Sequence, residues 1–144
     1  MIDLSEYLDY FVALVGAFIG WFFGDINGFI YALLTFCILD YITGVLAAGV
    51  KHELSSSVGF NGIARKVTIF ILVGLVNIID TELLGQFSPF HETALLRNSV
   101  IFFYLSNEGI SILENAVVIG IPIPEFLKER LLEFKKSKVK PSKK

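Results

Sequence analysis

The sequence predicts an all-α integral membrane protein: a bundle of four transmembrane helices, or three if the first apolar stretch does not span, followed by a C-terminal amphipathic helix. Three observations carry this reading. Hydrophobic residues make up 54% of the 144-residue chain and charged residues only 18%, too little polar surface to keep so short a chain soluble. Mean hydropathy is +0.68. The apolar runs are long enough for spans at about 8–24, 29–50, 67–86 and 98–120. They make a membrane domain over 1–124, and 125–144 reads as a cytoplasmic amphipathic helix with a polybasic tail.

The composition argues against an enzyme. Cys37 is the single cysteine, which leaves no disulfide framework, and two scattered histidines make no zinc set. Nothing resembles a phosphate-binding loop, a dinucleotide-binding turn or a nucleophile triad. No cofactor, metal or nucleic-acid partner is expected.

In the first span Asp3 and Glu6 have capping-box spacing for a helix starting near Leu4. Gly16, Gly20 and Gly24 then recur at every fourth position beside Ala13 and Ala17. That pattern cuts a groove where another helix can pack closely. After the turn Asp25-Ile26-Asn27-Gly28, Asp40 falls in the middle of the second span, on one ridge with Gly44 and Ala48. A carboxylate at mid-bilayer costs about 3 kcal/mol on insertion scales, so it must face protein or water.

Residues 51–66 read as a central polar loop carrying Lys51, Arg65 and Lys66. Asn61 is placed to cap the third helix, whose first turn then holds Arg65 and Lys66. Asn77 and Asp80 lie towards that helix's far end. Ser88-Pro89 has the pattern of a helix start, and Pro122 and Pro124 stop the helix after Gly120. On this last helix Asn107, Glu108, Ser111, Glu114 and Asn115 fall within an arc of about 120° at 100° per residue. Such a stripe serves either as hydrogen-bonding glue between helices or as a surface facing water or a partner subunit, and spacing alone leaves both open. Asp40, Gly44, Asn77, Asp80 and the five stripe residues are therefore the pore or assembly candidates. No lysine or arginine is expected at the depth of Asp40, Glu108 and Glu114, so salt bridges are not expected to relieve all three.

Charge sets the topology. Residues 1–82 hold eight acids against three bases, whereas from Lys128 onward there are eight bases and two acids. Four spans place eleven of the twelve Lys and Arg residues on one side, with Arg97 opposite, and the positive-inside rule makes that side cytoplasmic.

The ordered set Leu39-Asp40-Tyr41-Ile42-Thr43-Gly44, Lys51, Ser55-Ser56, Gly59, Gly62 and Arg65-Lys66 resembles the toxin-secretion and phage-lysis holin family. The run from Asn107 to Asn115, then Gly120-Ile121-Pro122-Ile123-Pro124 and a charged amphipathic segment, is similar to that family's C-terminal part. The resemblance covers roughly residues 30–135. It implies a small bacterial inner-membrane protein that forms homo-oligomers in lipid and opens lesions. A cell-wall hydrolase (endolysin) or a secreted toxin would leave through them. The alternative from residues alone is a small four-span transporter or channel for protons or cations.

Overall fold

The computed structural model describes residues 4–85, 94–130 and 133. Among these every regular element is helical: α1 (Leu4–Phe23), α2 (Gly28–Val50), α3 (Ser56–Ile78) and α4 (Leu95–Ile119). The expected Asp3 cap, the Ser88-Pro89 helix start, Leu131, Leu132, Phe134 and the polybasic tail lie outside the described residues. Residues 125–130 are helical, with Phe126 exposed.

Local chemistry places the boundaries. Asn27 caps α2 by accepting from the Phe29 amide at 3.1 Å. Ser55 caps α3 by accepting from the Val58 amide at 3.3 Å. Asn61, expected as that cap, sits inside α3 instead. The helix thus begins six residues earlier than a cap at Asn61 predicts, because the Ser55-Ser56-Ser57 run supplies a hydroxyl cap before the glycines. α3 continues through a wider π-type segment, Ile79–Leu84, closed by the Gly85 amide bonding the Asp80 carbonyl.

Among the described residues three helices are long and apolar enough to cross a membrane: Leu4–Phe23, Gly28–Val50 and Ser56–Leu84. α4 has the length, at 25 residues, but its polar stripe takes it below that standard.

α2 and α4 run parallel and pack along most of their length. Phe29 meets Phe102 with ring centroids 4.9 Å apart, and further along Asn115 reaches Asp40. α3 runs antiparallel to both, with Lys66 against Asp40 and Glu108 and Asp80 against the start of α4. The core between them is Ile30, Leu33, Cys37, Ile69, Val73 and Ile101. α1 is different. None of its residues is buried, and it engages α3 through its last turns, where Phe22 packs on Gly74 and Phe23 on Phe70.

Candidate functional site

Among the described residues two polar clusters interrupt this apolar bundle, about 16 Å apart along α3. The first is built from three helices. Lys66 Nζ, from α3, donates to Asp40 Oδ2 of α2 at 2.6 Å and to Glu108 Oε2 of α4. Asn115 Nδ2 donates to Asp40 Oδ1 and Thr43 Oγ1, both at 3.1 Å. Glu108 is only 5% exposed. Gly44 lies beside this cluster: a Cβ at that position would make ordinary contact with the Asn115 amide at 3.6 Å. Tyr41 packs on the bare backbone of Gly59 and Gly62, which brings α3 close enough for Lys66 to reach across.

This arrangement corrects the expectation that no base lies level with Asp40 and Glu108. With α3 starting at Ser56, Lys66 lies ten residues, about 15 Å, into the helix rather than at its mouth. Each charge alone would cost about 2.5–3.5 kcal/mol at the centre of a membrane helix. One ammonium shared by two carboxyl groups offsets much of that cost and ties three helices together. Cys37 abuts the same group, and a shallow apolar cavity of about 250 Å³ opens between α2 and α3 beside Tyr41 and Lys66.

The second cluster takes Asn77 and Asp80, which the structure separates from Asp40. Arg97 is buried, and its Nη1 donates to the Phe23 carbonyl at 2.9 Å and to Asn77 Oδ1 at 3.4 Å. Asn77 Nδ2 donates to the carbonyls of Trp21 and Phe22. Asp80 accepts the Arg97 amide at 2.7 Å and the Leu96 amide at 3.4 Å, so a carboxylate sits at the start of α4. The last carbonyls of α1, left over by any helix end, are thereby satisfied. Gly24 belongs to this knot and not to a packing groove. Its φ is +71°, and a Cβ there would collide with Arg97 and Asn77.

Of the remaining candidates, Asn107, Ser111 and Glu114 are half-buried along the other edge of the α4 stripe. Gly16 and Gly20 face open space: a methyl group on either would have nothing of the chain within 4 Å. Lys51 and Arg65 are exposed, as loop residues would be, although Arg65 lies within α3. Sequence reasoning missed Lys66 and Arg97 as internal cations. For Lys66 the signal was present in the serine run that starts the helix.

A family model described as the bacteriophage holin family matches residues 17–136. The chain belongs to this family. A probable holin of Bacillus phage phi105 is 35% identical over 109 residues, covering 76% of this chain and 75% of that protein. An uncharacterised protein of Listeria monocytogenes is 48% identical over 119 residues, covering 83% and 80%. A 14.9 kDa protein of Clostridium perfringens, from the nagH 3' region, is 36% identical over 138 residues, covering 96% and 100%. No solved structure matches significantly. Both polar clusters of this holin-family chain lie within the matched stretch.

Proposed function

We propose that the protein is a holin: a non-enzymatic, multi-pass protein of the bacterial cytoplasmic membrane that self-associates and opens lesions through which an endolysin or a toxin leaves the cell. Membership of the holin family carries this reading. We take the membrane domain as residues 1–124 with four spans. α4 counts as the fourth because it lies parallel to α2 and neutralises Glu108 on Lys66. The charge asymmetry supports a cytoplasmic C-terminus and basic segment.

The first cluster suggests how such a protein accumulates before it acts. With Asp40, Lys66 and Glu108 satisfied internally, the closed bundle keeps these three groups away from lipid. Parting α3 from α2 and α4 exposes three charged groups and Asn115, which water stabilises and lipid does not. The cluster is thus a lock in the closed form and a ready polar lining in the open one. A second reading, a small proton- or cation-coupled transporter, draws on the same intramembrane carboxyl groups. Induced expression in bacteria, with and without a cytoplasmic cell-wall hydrolase, separates the two. A holin releases a cytoplasmic reporter enzyme and allows lysis with the hydrolase; cells that stay intact and retain the reporter overturn the reading.

A further inference from the structure

The free face of α1 has a composition that its place in the chain does not use. Taking Phe22, which packs on Gly74, as zero, Glu6, Asp9, Ala13, Gly16, Ala17 and Gly20 all fall between about 120° and 220° around the helix at 100° per residue. They form one stripe on the side away from α3: small residues in the middle and two exposed acids at the outer end. A Cβ at Gly16 or Gly20 meets no atom of the chain. Among the described residues Glu6 and Asp9 have no ion-pair partner.

α3 carries the complement. Arg65 is about 180° around α3 from Gly74, exposed and likewise without an ion-pair partner among the described residues. Exposed Asn61 and Thr68 flank it. Depth matches as well when both helices cross the bilayer. From the level where Phe22 meets Gly74, Arg65 lies about 13 Å back along α3, and Ala13 and Asp9 lie about 13 and 20 Å back along α1. An arginine side chain bridges that last offset. Within one chain the two faces point in opposite directions and never meet.

We propose that the acidic small-residue face of α1 docks on the Arg65 face of α3 in a second copy of the chain. The proposal rests on the holin reading with α1 as a span, and it deepens that reading by naming the contact. Because two different surfaces meet, each copy keeps one of each free, and the contact propagates into a ring or an open array instead of stopping at a dimer. The bare glycines admit the partner backbone closely, and the Asp9–Arg65 pair sets direction and register.

The test is charge exchange in the full chain, read by chemical crosslinking in membranes. Asp9→Lys and Arg65→Glu should each shorten the crosslinked ladder, and the double variant should restore it. Gly20→Leu should shorten it without reducing membrane insertion. In a Cys37→Ala background, a copy with Ala13→Cys should form a disulfide with a differently tagged copy carrying Thr68→Cys. An unchanged ladder in both charge variants, or Ala13→Cys copies pairing with one another into dimers only, overturns this interface. Wild-type reporter release persisting alongside that result leaves the holin reading in place. A wild-type chain that neither forms a ladder nor releases reporter overturns both.

Discussion

Lys66 and Asp40, 26 positions apart in the chain, meet with 2.6 Å between Nζ and Oδ2, and the same ammonium also serves Glu108. One cation therefore holds α3 against both helices of the parallel α2–α4 pair.

Lys66→Met should be the most damaging single change in the bundle. It strands two carboxyl groups on neighbouring helices, and breaking a buried pair by removing one partner costs about 3–5 kcal/mol. Unfolding in detergent or lipid nanodiscs should show a loss of that size. The triple variant Asp40→Asn, Lys66→Met, Glu108→Gln should recover much of it, because no uncompensated charge remains. A triple variant as unstable as Lys66→Met would mean that packing of the lysine stem, not charge, is what the position supplies.

The residues of this cluster differ in how plainly the sequence announced them. Asp40 and Glu108 stood out because a carboxyl group in an apolar run demands an account. Lys66 did not, since it follows glycines and serines that read as a loop, and a helix boundary shifted by six residues moves it from the membrane edge to the interior. The helices themselves were legible from hydropathy, whereas the partition of Asn77 and Asp80 into a second cluster was not. Which polar residues meet depends on helix directions and contacts between spans, and periodicity within one span carries no such information.

Gly24 and Arg97 together pin α1. Gly24→Ala forces a left-handed residue to carry a Cβ, which costs about 1–2 kcal/mol before any collision with Arg97 and Asn77. Arg97→Met removes the donor to the Phe23 carbonyl. Either change should raise amide hydrogen exchange at the end of α1 while the amides around Asp40 and Glu108 keep their protection. Equal deprotection of both regions would show that the two clusters form one cooperative unit.

Topology is checked by thiol labelling of intact cells in a Cys37→Ala background. Cysteines placed at Ser56 and Ser142 should react only after the membrane is permeabilised. One at Asp25, exposed in the turn between α1 and α2, should label from outside. External labelling at Ser56 reverses the orientation.

Asp40→Asn and Glu108→Gln examine the lock without dismantling it. Each amide keeps the size and an accepting oxygen of the acid it replaces, so Lys66 and Asn115 retain partners and insertion should be unchanged. What is lost is the charge component of the bond, and a bond to a charged group is stronger than a neutral one. A weakening of about 1–2 kcal/mol changes a closed-to-open ratio by roughly 5–30-fold. The direction is towards opening, because the bond exists in the closed bundle. Reporter release should begin earlier for both variants at matched membrane levels, and more so for Glu108→Gln, whose site is the more deeply buried. Later onset would mean that the charges serve the open form more than the closed one. Wild-type curves for both would end the role of these acids in timing, and the chain would still belong to the holin family.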